Sequence, residues 1–402
     1  VGSEISHNLA KKPLHTEETS MAEPDLASEL QSIRHHLHEI PETAFSEFKT
    51  SDYVAVQLAA LGVEVIRQVG GTGVVGTLRR GAGTRSIGLR ADMDALPITE
   101  AGTPAYRSTH EGRMHACGHD GHMAMVLGAA RLLTQAGDWS GTVQFVFQPA
   151  EEPGKGAKAM LADGLLTRFP MDEIYGVHST PGLPEGQFAT RAGGIGASED
   201  NFVIRIQGRA AHAARPHMSI DPIVIGSEIV LALQSVVARS VDPIDQAVVS
   251  VTEFITDGAR NVIPGSVTIK GDTRSYSAEV QALLERRMAA LISGICAAHG
   301  AGHAFEYTHE FEPTVNPPQC LDAVVQAAVE TAGREHVDRD CRPVMGSEDF
   351  GVFLKVIPGN FLRLGCGVDA VPLHNPRFDF NDRLLVPGAR YFATLARHRL
   401  RG

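Results

Sequence analysis

The chain has 402 residues, of which 43% are hydrophobic and 21% charged, with a formal net charge of -11. That length exceeds what one hydrophobic core ordinarily supports, so two domains are expected. The acidic balance argues against a nucleic-acid surface, which carries a basic excess, though not against an anionic substrate met by local charge.

Residues 1–22 are polar and lack the apolar centre of a signal peptide; they read as a disordered native tail or an added expression segment, and export by that route is not expected. From residue 25, Leu26, Leu30, Ile33 and Leu37 recur at helical spacing until Pro41 stops the run. A second helix is expected over about 50–61, then strands at VEVIRQV, GVVGTL and SIGLRADM. A polar loop leads to a helical run, HMAMVLGAARLLTQA, the strand TVQFVFQP, a helix near 155–166 and the strand EIYGVH. Apolar strands alternating with helices predict an α/β sheet buried on both faces.

The pattern changes near Gly193. From there the order is strand NFVIRIQG, helix 222–239, strands QAVVSVTEFI and SVTIKGDTRS, helix 278–298 and strand HAFEYTHEF. That β-α-β-β-α-β order is a split ferredoxin-like unit. From about Pro313 a helix, the strand FLRLG and a closing helix at 387–400 resume the first pattern. The expected organisation is an α/β domain of residues 23–193 and 313–402, interrupted by an α+β domain at 194–312. No apolar run of about 18 residues stands out, so no membrane span is expected. The cysteines, at 117, 296, 320, 341 and 366, are odd in number and form no CxxC pair. A disulfide framework is therefore not expected, and a reducing cytoplasm fits.

Chemistry concentrates just past the strands. His115-Ala-Cys117-Gly-His119-Asp-Gly-His122 precedes a helix, and thiolate and imidazole are good ligands for zinc and similar divalent ions. Glu151-Glu152 follows TVQFVFQPA at the carboxyl end of a buried strand, where one carboxylate can bind metal and its neighbour can take a proton. His178 ends EIYGVH, His374 follows FLRLG, and Asp92-Met-Asp94 follows SIGLRA. Singly, each fits a plainer role: a buried thiol, a solvated acidic turn, a helix or turn cap. Together they fall past strands of one sheet, which lets them converge at one edge.

The motifs RADMDALP, MHACGHDGHMA, FQPAEE, GVH, GRAAHAARPH, ARNVIP, MGSEDF and LHNPRFDFND run in order across nearly the whole chain. The sequence thereby resembles the M20 metallopeptidases, and within them the amidohydrolases related to hippurate hydrolase, N-acyl-amino-acid amidohydrolases and auxin-conjugate hydrolases. The resemblance implies a zinc-peptidase-like α/β catalytic domain with an inserted lid and dimerisation domain. It implies two divalent metals bridged by Cys117, with Glu152 and His374 completing one site and His119 and His178 the other. Glu151 takes the place of general base and acid, and Asp94 that of a residue supporting the site. The histidine ligand found just before it in related peptidases is replaced here by Asp92, and the subgroup supplies His119 instead. His212 matches the inserted-domain histidine that helps stabilise the reacting carbonyl, in many relatives reaching a partner subunit's site, and Asn261 resembles a substrate-carboxylate contact. Arg260, Arg274, Ser347 and Glu348 are further candidates for the pocket wall.

Amide hydrolysis suits this set. A divalent metal lowers the pKa of water from about 15.7 toward 7 and polarises a carbonyl, and one carboxylate can serve as both base and acid. The bridging thiolate favours zinc, nickel or cobalt, with manganese open. The expectation is hydrolysis of a small N-acyl amino acid by a homodimer that contacts neither nucleic acid nor membrane. Competing readings are a dipeptidase or carboxypeptidase on free peptides, and a non-catalytic metal-bound protein on the same fold.

Overall fold

The computed structural model describes residues 23–401; the tail expected over 1–22 lies outside them. Helices α1 (Glu23–Glu39) and α2 (Phe48–Ala60) lead into strands β1 (Glu64–Val69), β2 (Gly73–Arg80) and β3 (Ser86–Asp92). Then come α3 (His119–Gln135), β4 (Gly141–Gln148), α4 (Gly156–Ala162), α5 (Leu165–Arg168), β5 (Glu173–Pro181), β6 (Phe188–Ala189) and β7 (Gly193–Gly196). A second group follows: β8 (Glu199–Gln207), β9 (Ala211–His212), α6 (Pro222–Ser240), β10 (Ala247–Thr256), β11 (Val262–Ile263), β12 (Ser266–Ser275), α7 (Ala278–Ala298) and β13 (Gly302–Phe311). The chain closes with β14 (Thr314–Asn316), α8 (Pro318–Ala332), β15 (Val337–Asp338), α9 (Phe350–Leu354), β16 (Gly359–Gly367) and α10 (Leu385–Arg399).

The larger sheet has the order β1-β2-β4-β3-β5-β16-β6-β15. Its centre is parallel: β3 pairs with β4 and β5, and β16 with β5, all in the same direction. Their carboxyl ends therefore open on one edge. Side chains alternate between two buried layers, as a two-residue period requires. Phe145, Phe147, Tyr175 and Leu362 face the core beneath α3 and α10, while Val146, Ile174 and Phe361 face a second core with Phe350 and Met160. Burial on both faces explains why these strands read as continuous apolar runs.

The smaller sheet is antiparallel, in the order β10-β12-β8-β13. Phe202, Ile204 and Ile206 of β8 meet Ile225, Ile229 and Leu233 of α6 and Leu284, Met288 and Ile292 of α7 in a core of their own. The two connections between the sheets, β7 and β14, pair with each other.

One expectation needs correction. The single helix near 155–166 is two, because Gly164 adopts φ +82 and the preceding Asp163 turns out to accept from the Gly70 N–H. By length and composition α6, at 19 residues, could cross a membrane, although Ser227, Glu228, Gln234 and Arg239 interrupt its apolar residues. Ile225, Ile229, Leu233 and Val236 nevertheless pack onto the smaller sheet, so this helix is a core element of its unit.

Candidate metal centre and active site

The helix expected from His122 begins three residues earlier, at His119, so His119 lies on the first turn of α3 and Cys117 just ahead of its cap, Gly118. Gly118 makes that entry possible with φ +88, and a Cβ there would stand 2.7 Å from Ser179 Oγ. His119 Nδ1 donates to the Asp94 carbonyl at 2.7 Å and His178 Nδ1 to the Ser179 carbonyl at 2.7 Å. Those bonds orient both rings and leave the Nε2 atoms available to a cation. His178 Nε2 lies 3.4 Å from Cys117 Sγ, and His119 Nε2 lies 3.9 Å from Glu152 Oε1. His374, held by its N–H to the Ala116 carbonyl and by φ +62, brings its Nε2 to 3.5 Å from the other oxygen of Glu152.

Asp94 organises the acidic pair. Its two carboxylate oxygens accept the N–H groups of Glu151 and Glu152 at 3.0 Å each, across a turn that Ala150 enters with φ +49. Its own carbonyl aligns His119, so one residue ties the β3 end to both ligand segments.

Behind the pair lies a network that pattern reading did not single out. Arg90 is fully buried and donates to Asp92, Glu348, Asp349 and Gln148. Burial, then the neighbouring carboxylates Glu348 and Glu152, push Glu151 well above the usual carboxylate range. Burial and Glu152 hold the Cys117 thiol well above its ordinary value. Burial opposes the charging of His119, yet Asp92 and Asp94 outweigh it and raise the ring to about 10. Burial keeps His178 well below its usual value. His122, from the same motif as Cys117, accepts the Ser179 N–H on Nε2 and donates from Nδ1 to Asp92 at 2.7 Å, so both its nitrogens are engaged. The cue for Arg90 is visible only after folding: it sits in an apolar stretch, and most of its partners come from distant segments.

These residues open on a cavity of about 740 Å³ between the two sheets. Cys117, Glu151, Glu152, His178 and His374 share its wall with Arg274, Ser347, Glu348 and Arg363, and with apolar Ile195, Phe311, Val344 and Phe361.

Residues 88–398 match the peptidase family M20/M25/M40. The chain belongs to the M20 family. A hippurate hydrolase from Campylobacter jejuni is 40% identical over 92% of this chain and 97% of its own. Thermostable carboxypeptidase 2 from Saccharolobus solfataricus is 37% identical, over 90% and 93% of the two chains. The crystal structure of YXEP from Bacillus subtilis, described as a dinuclear metal-binding M20 peptidase, superposes with TM-score 0.83 at 32% identity, covering 94% of this chain and 99% of that one. This M20 chain is a metal-dependent amidohydrolase, and its donor set fits divalent ions. Cys117, His119 and Glu152 present ligand atoms within 4.8 Å of one another. His119 Nε2 and Glu152 Oε1 are buried with no hydrogen-bond partner, which a cation would remedy.

Two residues matched in the M20 motifs lie elsewhere. His212 and Asn261 are exposed on the ribbon formed by β9 and β11, where Val262 pairs with His212, and neither lines the cavity. Arg260 sits on the same exposed turn and is absent from the cavity wall, whereas Arg274, Ser347 and Glu348 belong to it. The Ala214 N–H donates to His212 Nδ1, so the outward Nε2 carries the proton as a free donor.

Proposed function

We propose that the chain hydrolyses the amide bond of a small N-acyl amino acid, with Cys117, His119, Glu152, His178 and His374 holding two divalent metals and Glu151 handling the proton. The observation that carries this reading is the convergence of the His119 and His374 Nε2 atoms on Glu152, with Cys117 beside them, His178 Nε2 against the Cys117 thiol, and Glu151 next in the chain. Bound there, the metals supply Lewis acidity, activating water and polarising the carbonyl. Glu151 takes the proton of the attacking water and returns it to the departing amine. Asp94 keeps Glu151 and Glu152 in place through their backbone N–H groups. The thiolate in the donor set favours zinc, with manganese, cobalt or nickel as replacements.

The change from the larger to the smaller sheet near residues 193 and 313 supports domain boundaries there, with 194–312 as lid and dimerisation domain. His212 then acts on a neighbouring subunit's carbonyl and Asn261 contacts the substrate beside it. The exposed Val224 and Leu231 on α6 are available for such a homodimer. Five free, buried cysteines suit a reducing cytoplasm.

The carboxypeptidase relative favours a second reading, cleavage of free peptides. A panel of N-acetyl, N-benzoyl and indole-acetyl amino acids against dipeptides, on metal-reconstituted protein, separates the two. Preference for acyl amino acids is expected, and turnover of dipeptides alone would overturn it.

A further inference from the structure

The cavity holds two arginines in opposite electrostatic situations. Arg274 is satisfied by the protein: Nη2 lies 3.0 Å from Glu199, Nε 3.0 Å from Asp272, and Nη1 donates to Ser347 Oγ and the Met345 carbonyl. Arg363 has no such neutralisation. Its side chain is 6% exposed, and Nη2 donates to Cys341 Sγ at 2.9 Å and the Arg342 carbonyl at 2.5 Å. Its Nε has no partner, and among the described residues no carboxylate lies within ion-pair distance. Cys341 is no hidden counter-ion, since burial raises its thiol above the ordinary value. Arg342 and Arg191 act on the same Tyr276 as Arg363, and the nearby acidic groups, Asp338 beside Cys341 and Asp340 beside Arg191, form no ion pair with Arg363.

A buried cation without a counter-charge is costly unless a ligand supplies one. Arg363 is placed to meet that ligand. It pairs in register with His178 on the adjacent parallel strand, so both side chains leave the sheet on one face, and both line the cavity. The other wall carries Glu151, Glu152 and Glu348, which repel an anion.

We infer that Arg363 is the anion anchor of the cavity: its guanidinium binds a carboxylate of the substrate and sets the scissile amide beside Glu151. This rests on the acyl-amino-acid reading and narrows it to substrates bearing a carboxylate within reach of the amide. Bidentate pairing with a planar carboxylate suits Arg better than Lys.

The test compares wild type, Arg363→Met and Arg363→Lys as metal-loaded full chains. The probes are N-benzoylglycine, its uncharged amide N-benzoylglycinamide, and N-succinylbenzylamine, whose carboxylate lies on the acyl side. Loss of a charge-assisted pair should raise KM for a carboxylate-bearing probe by about 10- to 150-fold with little change in kcat. The uncharged amide should be unaffected by Arg363→Met, and Arg363→Lys should restore part of the loss. Loss confined to N-benzoylglycine assigns the anchor to the amino-acid carboxylate; loss confined to the succinyl probe assigns it to the acyl side. Equal loss on the uncharged probe, or none on any, overturns the proposal. Calorimetric binding of the probes to Glu151→Gln, with and without Arg363→Met, reads the anchor without turnover. A wild type that binds the acids through Arg363 yet cleaves none would refute the hydrolase reading and leave the anchor standing.

Discussion

His119 and His178 each spend Nδ1 on a backbone carbonyl, which leaves one ring atom apiece turned toward Cys117 and Glu152. The second carboxylate, Glu151, is the group the proposed chemistry needs and the metals do not. Glu151→Gln preserves shape and removes only the proton acceptor. Its expected result is retained metal content with kcat reduced by at least about 100-fold, the scale of general-base catalysis. Steady-state kinetics beside elemental analysis checks both halves, and near-normal turnover would take Glu151 out of its role. A separate buried group governs pH dependence of the fold. Burial alone would depress His38, but the hydrogen bonds its ring donates to Asp120 and Glu100 raise it from 6.5 to about 9. Because the folded value exceeds the unfolded one, protonated His38 stabilises fully below about pH 6.5, and that contribution is lost as pH rises through about 9. At its fullest it amounts to about 3 kcal/mol. The difference in Tm between wild type and His38→Gln should therefore shrink from about pH 6 to about pH 10. An unchanged difference would contradict the assignment.

Element geometry decides which glycines tolerate a side chain. On α3, a Cβ at Gly121 would fall 2.3–2.5 Å from the buried Phe380 ring. Gly121→Ala should cost about 1–3 kcal/mol as overpacking, seen as a lower melting temperature. On α7, Gly294 has nothing within 4 Å, and Gly294→Ala should instead stabilise by about 0.5–1 kcal/mol through helix propensity. Melting both variants checks the pair, and an opposite order would contradict the packing described. At this scale the sequence was readable where a period was clear. The helical spacing of Leu26 to Leu37 and the apolar runs of β3 and β4 announced their elements to within a few residues. It was unreadable where one backbone angle decides, as at Gly164. Ligands clustered past strand ends were legible as candidates, and family motifs gave them roles. Arg90 and Arg363 escaped because their meaning lies in which distant carboxylates do or do not reach them.

In the whole molecule, the position of His212 and Asn261 poses the sharpest question. Their ribbon is exposed, and the cavity wall of the same chain lacks both. If His212 serves a partner subunit, His212→Ala and Glu151→Gln should each be inactive alone yet regain about a quarter of wild-type activity when co-assembled, because a two-fold dimer rebuilds one complete site in each mixed pair. Activity absent after verified mixing would place His212 outside the partner's chemistry. The same scale carries the central claim, that five side chains from four separated segments bind two divalent ions with Cys117 shared between them. Metal content per chain, measured on purified wild type and Cys117→Ala after reconstitution with zinc, tests it most directly. The account predicts about two ions per wild-type chain and loss of metal in the variant, since removing the shared ligand weakens both sites. A wild type that holds no metal, or a Cys117→Ala chain that keeps both ions, would contradict it.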